Sequence, residues 1–124
     1  MKYQDGISHF LSYLRDCESD DRISREEELI KENETQDLLH ILELNSKLTF
    51  SEKGNIAKQL ADIRQKRRIA KDTNSVTYLI CEWISSHTDA IKSLEKLLGE
   101  VRKAEKKTEN RFYTPRTDAG KLIG

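Results

Sequence analysis

The chain has 124 residues, and its 22 basic and 22 acidic residues give a formal net charge of zero. A neutral chain has no global field that would draw it to nucleic acid or to a membrane surface, so any such affinity must be local. Apolar and charged residues each make up 35% of the chain, and the mean hydropathy of −0.77 is low for a compact monomer. Long helices that each bury one stripe suit this composition. The modest buried area per chain favours a homo-oligomer.

The length fits a single helical domain over residues 1–124, because no Pro- or Gly-rich linker divides the chain. No apolar run approaches the roughly 20 residues of a membrane span, and Met1-Lys2-Tyr3-Gln4 does not open a signal peptide. We therefore expect a cytoplasmic protein without a membrane partner. Cys17 and Cys81 fit that compartment as free thiols, since two separated cysteines make neither a disulfide framework nor a zinc site.

The first third of the chain predicts helix on both sides of a charged stretch. A first amphipathic helix starts near Asp5, and its apolar residues are Ile7, Phe10, Leu11, Leu14 and Cys17. Between Glu18 and Glu28 this helix either continues as a solvated arm or restarts at Ser24 in a capping-box arrangement, and the sequence leaves both open. Thr35 is predicted to be the N-cap of the next helix. We expect the apolar residues that follow it to be core: Leu38, Leu39, Ile41, Leu42 and Leu44.

The longest predicted helix is capped by Ser51 and runs to about Ile84. One stripe recurs along it at steps of four and three, which is typical of a helix that packs against others. The stripe contains Ile56, Leu60, Ile63, Arg67, Ala70, Asn74, Thr77, Cys81 and Ile84. A strand over 76–84 is the alternative for the end of this segment. Helix is favoured because strict alternation would place Glu82 on the same face as its apolar neighbours.

The last predicted helix follows a break at Ser86-His87-Thr88 and runs out into basic residues 102–107. Its apolar residues are Ile91, Leu94, Leu97, Leu98 and Val101. Residues 110–124 are predicted to be an extended C-terminal tail, because Pro115 biases the residue before it toward an extended conformation. The predicted fold is therefore all-α, an antiparallel bundle of about four long helices that assembles as an oligomer.

The sequence does not predict an enzyme, a metal site or a cofactor. His9, His40 and His87 are scattered and lack the partner spacing of a metal-binding helix. Five dispersed glycines build no phosphate-cradling loop, and no nucleophile motif is visible. We expect the three histidines to have surface or core-edge roles.

A basic cluster is the main candidate site. Arg64, Arg67, Arg68 and Lys71 lie three and four residues apart, so a helix would gather their side chains on one side. Arginine forks can hold a phosphate bidentately while lysine adds a point charge. The structural alternative is that these cations pair with the acidic first segment, which contributes little stability at an exposed surface.

A second candidate site lies in the predicted tail, where Arg111, Phe112, Tyr113 and Arg116 set two aromatic rings among two arginines. Such a segment can lay a ring on a base while its cations contact phosphate. The alternative is that Phe112 and Tyr113 attach the tail to the helices.

Three segments together, residues 35–40, 63–72 and 110–116, resemble small helical proteins of phages and prophages of Firmicutes. Among these, the chain is similar in size and character to the Thoeris anti-defence sponges, which sequester the cyclic ADP-ribose signal of a host TIR-domain enzyme. The resemblance implies a phage protein of the host cytoplasm that binds a cyclic nucleotide without cleaving it. It also implies that the basic cluster contacts the pyrophosphate, with the tail closing over the ligand.

Two other classes of function stay open. The chain could be a helical inhibitor or regulator that uses the stripe between Ile63 and Ile84 and the acidic arm to bind a host defence protein. It could also be a nucleic-acid-binding accessory protein whose basic cluster follows a phosphate backbone, although its neutral net charge argues against this.

Overall fold

The computed structural model describes residues 2–110, and these residues form three α-helices and no strand. Helix α1 is Lys2–Leu44, α2 is Phe50–Ser86 and α3 is Thr88–Glu109. The described residues group into two compact units, one made by residues up to 11 and from 89 onward, the other by residues 12–88. The all-α prediction is confirmed, with three helices in place of about four. None of these helices combines the length and the apolar character needed to cross a membrane.

The helix count differs from the prediction because α1 is continuous through its charged stretch. The Ser24 hydroxyl donates to the Asp21 carbonyl oxygen at 3.0 Å, and the Thr35 hydroxyl donates to the Lys31 carbonyl oxygen at 2.8 Å. Both side chains thus bond back along an unbroken helix, so the predicted N-cap at Thr35 is wrong. Ion pairs one turn apart support this segment, as between Arg25 and Asp21 at 3.1 Å.

The N-cap of helix α2 lies two residues before the predicted cap at Ser51. Thr49 is the N-cap, since its hydroxyl oxygen accepts from the Glu52 backbone N–H at 3.1 Å. The break at 86–88 is as predicted, and His87 closes the helix by donating its backbone N–H to the Ile84 carbonyl oxygen at 3.2 Å. Residues 76–84 are helical, so the alternative of a strand is wrong.

Within the unit of residues 12–88, α1 and α2 pack antiparallel. The Thr77 hydroxyl donates to the Asp21 carboxylate at 2.9 Å, and the Ser24 hydroxyl lies 3.5 Å from the Asn74 side-chain oxygen. About one helical turn from the Asp21–Thr77 contact, the Cys81 thiol lies 4.0 Å from the Cys17 carbonyl oxygen. Steps of four and three up α1 therefore match equal steps down α2, which is the register of a coiled-coil-like pair.

The predicted stripe of α2 is the face that this packing buries. All nine of its positions are buried or half-buried, and Ile80 is the only other residue of α2 that is not exposed. Because α1 covers this stripe inside the chain, the stripe is not available to bind another protein. The hypothesis of a helical inhibitor or regulator stays a prediction, with the acidic arm as the surface that it would use.

The apolar run near the end of α1 is not the core that we expected. Leu38, Leu39 and Leu42 are half-buried, whereas Ile41 is exposed and Leu44 retains 83% of its accessible surface. A pair of helices buries only one stripe on each, so apolar residues away from that stripe stay exposed. Phe50, in the first turn of α2, is 93% exposed for the same reason.

The other unit joins the first turns of α1 to α3 through Glu105. The Gln4 backbone N–H, in the first turn of α1, donates to the Glu105 carboxylate at 2.7 Å, and the Glu105 side chain is buried. First-turn N–H groups have no partner inside their own helix, so a carboxylate satisfies one of them and complements the helix dipole. Leu11 and Leu98 are the buried apolar residues of this unit.

Candidate functional site

The structure brings the four residues of the predicted basic cluster to one surface groove. Arg64, Arg67, Arg68 and Lys71 line it together with Asp72, and the groove encloses about 680 Å³. All five residues belong to α2. Their side chains lie on one side of this helix because positions three and four apart are neighbours on its surface. The groove thus presents four cationic side chains and one carboxylate.

Three of these four cations have no ion-pair or hydrogen-bond partner among residues 2–110. Arg67 is the exception, with its guanidinium 4.0 Å from the Glu32 carboxylate, at the limit of an ion pair. Arg64, Arg68 and Lys71 are all exposed. Pairing with α1 therefore accounts for Arg67 alone in the described part of the chain, through Glu32, which follows the acidic arm. The charges of the other three side chains face a ligand or solvent.

Arg67 links the groove to the interior of the helix pair. It occupies a position of the buried stripe, and its Nε atom is buried without a hydrogen-bond partner in the described residues. A buried donor without a partner costs on the order of 1–3 kcal/mol. Glu105 Oε2 is a second buried atom of this kind and lies outside the groove, so the unpaired Nε atom does not by itself mark a site.

A neighbouring cavity extends the basic side of the pair toward an aromatic ring. It encloses about 330 Å³, shares Lys71 with the groove and is also lined by Arg25 and Glu28 of α1 and by Tyr78 of α2. The Tyr78 hydroxyl donates to Glu82 at 2.6 Å, and this hydrogen bond raises the pKa of Tyr78. The Tyr78 ring is about half exposed, so one surface combines cations with a ring on which a base could stack.

Sequence analysis missed Arg25 and Tyr78 as candidate site residues. Tyr78 lies seven residues after Lys71, which is two helical turns on the same side, so the spacing contained a usable signal. Arg25 had none, because only the antiparallel packing of α1 on α2 brings it to this surface. The predicted residues Arg111, Phe112, Tyr113 and Arg116 lie outside the described residues.

His87 and Cys81 lie outside the basic groove. His87 stacks on Trp83 with ring centroids 4.5 Å apart, and its Nδ1 atom lies 2.8 Å from the Trp83 carbonyl oxygen. Burial raises the pKa of the Cys81 thiol, which disfavours the nucleophilic thiolate. Among residues 2–110, no group of three or more His, Cys, Asp or Glu side chains could hold a metal ion.

Comparisons with protein-family models, with curated proteins and with solved structures found no match to this chain.

Proposed function

We propose that the protein binds a phosphate-bearing small molecule at the basic groove and retains it without breaking a bond. The observation that carries this proposal is the set of three cations, Arg64, Arg68 and Lys71, that share one groove and lack ion-pair partners among the described residues. A structural salt-bridge surface would have neutralised them, as Lys66 is neutralised by Asp62 at 3.1 Å on the same helix.

The chemistry of the groove favours a pyrophosphate. Two arginine forks can each donate two hydrogen bonds to phosphate oxygens, and Lys71 adds a third charge beside them. The nearby Tyr78 ring suits a base attached to that phosphate. A cyclic nucleotide of the cyclic ADP-ribose type has both parts, and binding it tightly would make the protein an anti-defence sponge of a phage. The proposal also includes two features that the resemblance implies. The tail residues Arg111, Phe112, Tyr113 and Arg116 would close over the ligand, and the protein would assemble as a homo-oligomer.

Calorimetric titration of the full chain with cyclic ADP-ribose, ADP-ribose and inorganic pyrophosphate tests the proposal. We expect stoichiometric binding of a nucleotide, and a loss of at least 30-fold in affinity in the double variant Arg64→Ala/Arg68→Ala. Lys66→Ala is the matched control, because it removes a cation of the same helix that already has a partner. Equal affinity in the wild type and the double variant would exclude the groove as the site.

A nucleic-acid-binding accessory protein is the second candidate, because the same row of unpaired cations could follow a phosphate backbone. Titration with a single-stranded oligonucleotide of about ten nucleotides distinguishes the two functions. Strong binding of the oligonucleotide that falls steeply between 50 and 200 mM salt, with no binding of the mononucleotides, would replace the sponge proposal with this one.

A further inference from the structure

The other side of the α1–α2 pair carries exposed apolar residues. Ile23 and Ile69 line a cavity of about 330 Å³ that runs between the two helices, and its rim contains Asp20, Glu27 and Lys66. Ile30 and Val76 lie seven residues further along their helices, on the same sides as Ile23 and Ile69. These four apolar side chains remain between 48% and 60% exposed. We call Ile23, Ile30, Ile69 and Val76 the apolar face.

The unit of residues 12–88 buries little within one chain. It contains two helices, and none of the described side chains is less than 2% exposed. A long helix gains most of its stability from packing its apolar surface, so two helices with a partly polar interface lack the core of a bundle. A further layer of helices on the apolar face would supply that core.

We infer that the apolar face is the interface at which a second copy of this chain packs, so that two helix pairs form a four-helix bundle. The same side of α1 continues to Tyr13, seven residues before Asp20, and to Ile41, fourteen residues after Glu27, and both are exposed. Between these two residues α1 rises about 42 Å, and a pair of helices is about 20 Å wide. The resulting footprint of about 800 Å² equals the area that each partner contributes to a standard stable interface. A contact of this size is sufficient for a specific dimer.

Charge and register select one arrangement of the two copies. Stacking α1 on α1 would set Asp20 and Glu27 of one copy against the same carboxylates of the other, which is repulsive. A twofold axis parallel to the helices places α1 of each copy over α2 of its partner. In the register of the pair, Ile23 then lies level with Val76 across the interface, and Ile30 lies level with Ile69, so the apolar residues meet.

Analytical ultracentrifugation of the full chain tests this inference. We expect a dimer at micromolar concentration, and a dissociation constant at least 100-fold weaker in the variant Ile23→Glu/Ile69→Glu. Leu79→Glu is the matched control, since Leu79 is 64% exposed on α2 and lines neither the basic groove nor the cavity of the apolar face. A monomeric wild type, or a dimer that survives the double substitution, would overturn the inference.

Photo-crosslinking keeps the test decisive if the double variant fails to fold. A benzophenone amino acid at position 76, in a mixture of isotopically light and heavy chains, should give mixed covalent dimers with crosslinks near Ile23. The same probe at position 79 should give none. Crosslinks from position 79 alone would contradict self-association through this face. In a cell lysate, crosslinks from position 76 only to a different protein would contradict it as well. Neither experiment depends on the basic groove, so the proposed ligand and the proposed dimer can fail separately.

Discussion

The two sides of the α1–α2 pair differ in what their charges do. On the basic side, Arg64, Arg68 and Lys71 lack ion-pair partners among residues 2–110. On the apolar side, Lys66 pairs with Asp62 at 3.1 Å, so its charge is neutralised within one helix. Arg68 and Ile69 are adjacent in sequence but diverge by about 100° around the helix axis. A single residue step therefore separates a surface suited to an anion from a surface suited to another helix.

The interface between α1 and α2, which we call the seam, contains polar residues, and these keep the two sides of the pair distinct. Asp21 is buried, accepts a hydrogen bond from Thr77 and pairs with Arg25 at 3.1 Å. A slip of the pair by one layer would take the Thr77 hydroxyl away from this buried carboxylate, at a cost of about 1–3 kcal/mol. The polar layers thus set the register that keeps cations on one side and isoleucines on the other.

Charge reversal on the basic side should have the largest effect. In Arg64→Glu/Arg68→Glu, two attractive contacts to phosphate become repulsive, so nucleotide affinity should fall at least 100-fold. Calorimetric titration measures the loss, and ultracentrifugation should show an unchanged dimer. Ile69→Glu should show the reverse pattern, with the dimer weakened and the affinity per chain retained. If either variant impaired both properties equally, the two surfaces would not be independent.

Removing the hydroxyl in the seam should destabilise the pair by about 1–3 kcal/mol, because Thr77→Val leaves the buried Asp21 carboxylate with one hydrogen bond fewer. Urea unfolding followed by circular dichroism measures the change. Ser75→Ala is the control, since the Ser75 hydroxyl donates to the Asp72 carbonyl oxygen at an exposed position. A loss of stability as large in the control as in Thr77→Val would show that the seam has no special role.

Arg67→Met should separate the seam from the groove. Methionine removes the buried donor that lacks a partner, so the free energy of unfolding should stay equal or rise. Nucleotide affinity should fall about tenfold, because the groove loses one guanidinium. Denaturation and titration of the same sample measure both, with Arg67→Lys as the variant that keeps the charge. A marked loss of stability in Arg67→Met would instead assign Arg67 to the packing of the pair.

Tyr78 should have the smallest effect. Tyr78→Phe keeps the ring and should leave nucleotide affinity within about twofold, whereas Tyr78→Ala should weaken it about fivefold. The hydrogen bond to Glu82 raises the pKa of Tyr78, so its contribution to stability is fully present below the ordinary tyrosine pKa of 10.0 and is lost as pH rises through the raised value. Ultraviolet titration of wild type against Tyr78→Phe measures this shift. Equal affinities in the Phe and Ala variants would remove the ring from the site.

Local periodicity was sufficient to predict much of this fold. The stripe of α2, the break at 86–88 and the gathering of Arg64, Arg67, Arg68 and Lys71 depend on residues three and four apart, which a helix brings together whatever surrounds it. The continuity of α1 was not predictable from local spacing. Ser24 and Thr35 are residues that can cap a new helix, and only the packed structure shows that the helix runs through both. The exposure of Leu44 and Phe50 followed from the partner, not from their own apolar character.

The sequence by itself determined that this chain is helical, which side of α2 is buried and which cations share a groove, because each of these follows from helical spacing. Only the tertiary structure decided which residues remote in sequence contact each other. Thr77 reaches Asp21 across 56 residues, and Gln4 reaches Glu105 across 101 residues, distances over which no sequence pattern connects the pair. The same packing decided that Arg25 joins the basic side and that, among residues 2–110, Arg67 is the member of the cluster that pairs with a carboxylate. Helix geometry repeats every turn, whereas a partner is chosen by the register of two helices that are remote in sequence.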